Sequence, residues 1–235
     1  ALRDANILVP TICGGKGFCG KCRIQIFNGN TFPVTDSEKR KLSEAELAQG
    51  WRLSCQALVE GDMEIDLPQD TKDVRLYKAE VVALEMVCRE TRRVRLRLLE
   101  PATMEYLPGA FILLDIPPTP EKKLGASRSY SIATPPSSKN EIELNVKRVP
   151  DGFGSGYVHN VLKLGDVVSF SAPYSGYPST SDLNDLICIA GGSGISPVLS
   201  VLRHMKEIGS TRRTKFFFGV RECDDLEYIP EMRAM

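Results

Sequence analysis

The sequence predicts a multidomain chain of mixed class: an α+β region, a small antiparallel β-barrel, then the opening of a doubly wound α/β region. Three observations carry this. Four of the seven cysteines stand in the order C-x5-C-x2-C-x32-C within the first 55 residues. Residues 74–180 hold six strand-length apolar segments divided by turn pairs such as Pro108-Gly109, Pro117-Pro118 and Pro135-Pro136. From residue 183 a buried-type strand runs through a glycine-rich turn into a helix and a second strand, the start of a βαβ unit.

The first region, 1–67, offers strands at 22–27 and 63–67 and one charged helix at 36–47, with Asp36 or Ser37 as its cap. A linker at 68–72 follows. The barrel strands are expected at 78–85, 94–99, 110–116, 129–132, 142–148 and 167–171. The third region, 183–235, gives strands at 186–190 and 214–220 around a helix at 197–207. Two strands at each end are fewer than a stable sheet needs, so the chain is expected to be a piece of a longer one. The length, 235 residues, suits two or three small domains. Thirty basic and thirty acidic residues cancel, which argues against nucleic acid or electrostatic membrane capture. No apolar run reaches the roughly 20 residues of a membrane span. An odd cysteine count with three crowded into ten residues is a poor disulfide framework and points to a cluster or metal in a reducing, cytoplasmic compartment.

Cys13, Cys19, Cys22 and Cys55 are the expected ligands. Three thiolates from one loop and a fourth from a distant segment is the logic of an iron–sulfur cluster, and Gly14, Gly15, Gly17 and Gly20 let the loop turn its amides toward the sulfurs. A structural zinc site is the competing reading, but zinc sites usually pair two short knuckles and Cys55 has no neighbouring second ligand. On this motif, residues 1–67 resemble a ferredoxin-like 2Fe–2S domain of β-grasp fold. The five-residue first gap is similar to the cluster domains of sodium-translocating NADH:quinone reductases and related reductases. Cys88 and Cys188 fall on strand patterns and read as small core residues, and Cys223 lies in a loop; none is given a function.

Arg128-Ser129-Tyr130-Ser131, preceded by 107–111 and followed by the glycine-rich turn at 152–158 and Pro173-Tyr174-Ser175-Gly176, resembles the FAD-binding barrel of the ferredoxin–NADP reductase superfamily. The resemblance implies that Tyr130 packs on the isoalloxazine, Ser131 bonds near its N5, Arg128 neutralises the pyrophosphate, and amides around Gly154, Ser155 and Gly156 hold phosphate. An aromatic face and a guanidinium fork suit those tasks. Lys147 and Arg148 either add positive charge there or form a solvated strand end. His159 and His204 read as helix-surface residues.

Gly191-Gly192-Ser193-Gly194, between strand and helix, is not the G-x-G-x-x-G dinucleotide fingerprint. It resembles the superfamily's G-G-x-G-x-x-P nucleotide loop, which implies that Ser193 lies near the nicotinamide. Glu222, Asp224 and Asp225 after the next strand would repel a 2′-phosphate, favouring NADH. The expected enzyme is an NADH-dependent oxidoreductase moving electrons from NADH through FAD to 2Fe–2S, then to an acceptor protein or redox complex: an oxygenase, a quinone reductase or another acceptor. Any contact with the inner face of a membrane is expected through a partner or a further segment. A carrier or interaction module that does not itself oxidise NADH is the alternative.

Overall fold

The computed structural model describes residues 2, 7–29, 32–68, 74–120, 123, 125–174, 185–222, 226 and 228–234. Most of the linker, Ser175, Gly176, Cys223, Asp224 and Asp225 lie outside the described residues.

Three sheets follow in chain order. The first has β1 (Arg23–Asn28) at its centre, flanked antiparallel by β2 (Trp51–Leu53) and β3 (Glu64–Asp66). Ile24 and Ile26 alternate inward on β1, and Cys22, Leu42 and Leu53 form a small core. The sequence predicts two strands here; β2 is the third. The single helix predicted at 36–47 is two short ones, α1 (Asp36–Lys39) and α2 (Glu44–Ala48). Their caps are Thr35 and Ser43, not Asp36 or Ser37. Each hydroxyl accepts from the third residue's amide while Glu38 or Glu46 reaches back to the cap, so two capping boxes break the run between Lys39 and Glu44.

The barrel is a six-stranded antiparallel sheet in the order β7-β6-β9-β4-β5-β8. Its strands are β4 (Arg75–Met86), β5 (Thr91–Glu100), β6 (Phe111–Ile116), β7 (Ala126–Ser131), β8 (Glu141–Lys147) and β9 (Val167–Tyr174). The sheet curls until its edges meet: Ile132, just past β7, bridges Leu144 of β8, and Ala133 N–H donates to Glu143 O at 2.8 Å. Alternating residues fill the interior, including Ala79, Val81, Val94, Leu96, Ile112, Leu114, Ile142, Leu144 and Phe170. Cys88, expected on a strand, lies in the turn after β4.

The third unit is the predicted βαβ: β10 (Leu186–Gly191), a one-turn 3₁₀ segment (Gly192–Gly194), α4 (Ile195–Glu207) and β11 (Thr214–Gly219), with β10 and β11 parallel in register. A short α5 (Ile229–Arg233) follows. α4 packs on the outer face of β8. That explains why β8 is buried on both faces, including Glu143 and Asn145.

Candidate cofactor sites

The cysteine loop is positioned by the small sheet. Cys22 immediately precedes β1, and Cys55 follows β2 by one residue. Ser54 N–H donates to Cys22 O at 2.8 Å, so the pairing of β1 with β2 brings residues 33 apart into contact. The Cys22 and Cys55 sulfurs stand 3.2 Å apart. Sharing a proton with Cys22 pulls Cys55 down to about 6 and pushes Cys22 well above the ordinary thiol range. On the other side of the loop, Cys13 is raised by burial, but the amides of Cys19, Phe18 and Lys16 and the Cys19 thiol outweigh this and bring it to about 7.

Cys13 thus bonds with Cys19 and Cys22 with Cys55, and Cys19 stands close enough to Cys22 to act on its thiol as well. Among the described residues no three metal-ligating side chains group around a single ion position. Two pairs suit two irons bridged by sulfide better than one tetrahedral zinc. Amides aimed at Cys13, and that of Gly17 aimed at Cys55, are the arrangement a sulfur-rich cluster requires. Gly17 has φ +72°, and a Cβ there would meet Ser37 Cβ at 2.8 Å, so any side chain would push the loop off α1. Gln56 Nε2 ties the loop by donating to Gly15 O at 3.1 Å; nothing in the sequence announced that clamp.

Arg128, Ser129, Tyr130 and Ser131 lie on β7, paired with Leu114, Leu113, Ile112 and Phe111 of β6. All four are half-buried, since β7 stands at one end of the sheet order. Burial raises the Tyr130 hydroxyl to about 12, against the lowering effect of Arg128. The glycine-rich turn comes to the same place: a Cβ on Gly154 would lie 2.6 Å from Arg128 Cγ and 3.2 Å from Tyr130 Oη. The turn leads into α3 (Phe153–Gly156) and a π-helical turn, Tyr157–Val161. Ser155 Oγ is committed inward, accepting from Val149 N–H at 3.1 Å, and Gly156 N–H donates to Gly152 O at 2.6 Å. Gly156 therefore offers no free amide to phosphate, and the first-turn amides of Gly154 and Ser155 remain. Tyr174 stacks on Phe111 with ring centroids 5.2 Å apart. Lys147 pairs with Glu90, whereas Arg148 donates to the neutral Asn160 Oδ1 at 2.9 Å. His159 is half-buried on the π-helical turn, with its ring Nε2 bonded to Val146 O at 2.9 Å.

The cysteine loop rests directly on β7. Ser129 Oγ donates to Ile12 O at 3.2 Å, beside Cys13, and a Cβ on Gly14 would lie 2.9 Å from Arg128 Nη1.

Gly191 ends β10, and Gly192, Ser193 and Gly194 form the turn into α4. A Cβ placed on Gly192 or Gly194 would meet nothing within 4 Å, so open space stands over the loop where a ligand could approach the backbone. Of the three acids expected to exclude a 2′-phosphate, Glu222 is tied to Arg89 at 2.9 Å, and the other two lie outside the described residues.

Comparison with known proteins agrees with this order. Residues 1–60 match the 2Fe-2S iron-sulfur cluster binding domain, 78–177 the oxidoreductase FAD-binding domain, and 188–235 the oxidoreductase NAD-binding domain. The reductase component of propane 2-monooxygenase from Mycolicibacterium goodii is 31% identical over an alignment of 225 positions, covering 92% of this chain and 63% of that protein. A subunit of the Na(+)-translocating NADH-quinone reductase from Neisseria meningitidis serogroup C is 28% identical over an alignment of 267 positions, covering 98% of this chain and 65% of that protein. Among solved structures, an Amycolatopsis cytochrome P450 reductase superposes with a TM-score of 0.77 at 29% identity, covering 97% of this chain and 68% of that one. The chain thus spans about 63% of the length of the oxygenase reductases it matches. Among the described residues no helix is long and apolar enough to cross a membrane.

Proposed function

We propose that this chain, which carries 2Fe–2S, FAD-binding and NAD-binding domains of the ferredoxin reductase type, is part of an NADH-oxidising reductase whose electrons pass through FAD and the cluster to a partner protein. The observation that carries this is the docking of the cysteine loop on β7, with Ser129 bonded to Ile12 and Gly14 against Arg128. It sets the cluster ligands beside the strand expected to line the flavin. The modules are taken as 1–67, 74–180 and 183–235.

FAD, when bound, accepts a hydride and releases electrons singly, and a 2Fe–2S cluster carries one electron at a time; this chemistry is the cofactors' own. The chain's residues bind and orient. Cys13, Cys19, Cys22 and Cys55 would hold the cluster. Tyr130 offers an aromatic face at the half-buried strand, Ser131 a hydroxyl beside it, and Arg128 a cation for phosphate. The first-turn amides around Gly154 and Ser155 add donors. Gly191–Gly194 leave room for the nucleotide, with Ser193 at the turn. NADH rather than NADPH remains the preferred donor because of the acidic run at 222–225.

The acceptor is best read as an oxygenase component. The alignment with the quinone reductase protein, 267 positions, is longer than this chain, so that protein carries insertions lacking here, whereas the propane monooxygenase reductase aligns over 225. We place the protein in the reducing cytoplasm, since an odd cysteine count with three crowded at 13, 19 and 22 suits a cluster rather than disulfides. The test is an anaerobic titration of the full-length protein with NADH, followed by visible absorption. Flavin bleaching together with loss of the cluster bands is expected. A colourless protein would sink the proposal, and a coloured protein inert to NADH would leave a carrier.

A further inference from the structure

A buried polar chain joins the barrel to the glycine-rich loop. Tyr228 O–H donates to Asn145 Oδ1 at 2.6 Å, Asn145 Nδ2 donates to Ser196 Oγ at 3.1 Å, and Ser196 Oγ donates to Ser193 O at 3.2 Å. The three side-chain members are 4%, 6% and 2% exposed, so water does not satisfy them. Each group's donor and acceptor roles run one way along the chain, which lets successive bonds reinforce one another. The first two links are long-range, spanning 83 and 51 residues. Arg93 of β5 lies over the Tyr228 ring at 5.4 Å, fixing the far end.

A polar residue on β8 facing an α-helix is costly unless something uses it. We propose that Asn145 is a positioning residue. Through Ser196 it sets the Ser193 carbonyl, and so the nicotinamide loop, against the flavin barrel; through Tyr228 it ties that setting to the segment after β11. The proposal rests on the reading of Gly191–Gly194 as the nucleotide loop. A loop displaced by about 1 Å can lose on the order of 100-fold in rate without loss of binding, so the relay acts on hydride geometry more than on affinity.

The experiment uses the full-length holoprotein and two mild variants, Ser196→Ala and Tyr228→Phe, with their double. Stopped-flow NADH mixing is expected to give a flavin-reduction rate at saturation about tenfold lower in each single variant. Half-saturation should move less than about threefold, with flavin content unchanged. The double should lose no more than the worse single, because one relay is broken once. Hydrogen exchange of the 191–195 amides should quicken in all three. Variants with wild-type saturating rates and unchanged exchange overturn the proposal, as does a double whose losses multiply. Wild-type protein whose flavin NADH does not bleach sinks the reductase reading alone, since the exchange measurement still decides whether the relay holds the loop.

Discussion

Glu38 is fully buried on α1, and its carboxylate accepts from Arg52 Nε at 2.8 Å, Arg52 Nη2 at 3.0 Å, Thr35 N–H at 2.9 Å and Leu53 N–H at 3.1 Å. Burial alone would raise this carboxyl, but the hydrogen bonds from Arg52, Thr35 and Leu53 hold it at about 2 against an ordinary 4.5. A group depressed in the folded state contributes stability above its unfolded value, and loses it as pH falls through the folded one. Acid should therefore loosen the first sheet between about pH 4.5 and 2. Removing one partner strands the other as a buried charge, so Glu38→Leu should lower stability by about 3–5 kcal/mol. Urea titration followed at the cluster's visible bands reads this directly. The comparison is Glu46→Gln at the exposed second cap, where glutamine still completes the capping box and the midpoint should barely move.

At the scale of elements, the glycine-rich turn and β7 act together only because Gly154 lacks a side chain. A methyl there would meet Arg128 Cγ at 2.6 Å and Tyr130 Oη at 3.2 Å, so Gly154→Ala must push aside both residues expected to face the flavin. Overpacking of this kind costs about 1–3 kcal/mol, and the expected outcome is about tenfold weaker FAD retention, measured as the flavin-to-protein ratio after gel filtration. Undiminished flavin content would remove β7 from the site. Arg128, Tyr130 and Gly154 stood out only through their resemblance to a flavin-binding barrel, whereas turn chemistry and alternation are local signals that a sequence carries by itself. Those signals made the six barrel strands and the β10–loop–α4 unit legible. What stayed hidden depends on partners distant in sequence. β2 is three residues long and exists by pairing with β1, though it presents Cys55. The break between α1 and α2 turns on two competing caps within one charged run. Glu143 and Asn145 alternate with Ile142, Leu144 and Val146 along β8, and the packing of α4, with Arg203 3.2 Å from Glu143 and Ser196 bonded to Asn145, makes them interior.

For the whole molecule, the question is whether the three units form one electron path or three independent binding modules. The cluster loop touches β7, and α4 touches β8, so the barrel is the common scaffold and each outer unit can be disabled separately. Cys55→Ser removes one thiolate from the Cys22–Cys55 pair without touching β7 or the loop after β10. In the full-length protein it should abolish the cluster's visible bands and leave the flavin bound and bleached by NADH at close to the wild-type rate. Electron delivery to a one-electron protein acceptor should fall to background, because the step beyond the flavin has lost its carrier. Cys88→Ser, in the turn after β4 and outside both thiol pairs, should retain both colours and delivery. If delivery survives in Cys55→Ser, electrons leave from the flavin directly, and the docking of the loop on β7 serves assembly rather than transfer. If NADH no longer bleaches the flavin in that variant, the two ends of the barrel are coupled, and the loop on β7 helps shape the flavin site as well as deliver from it.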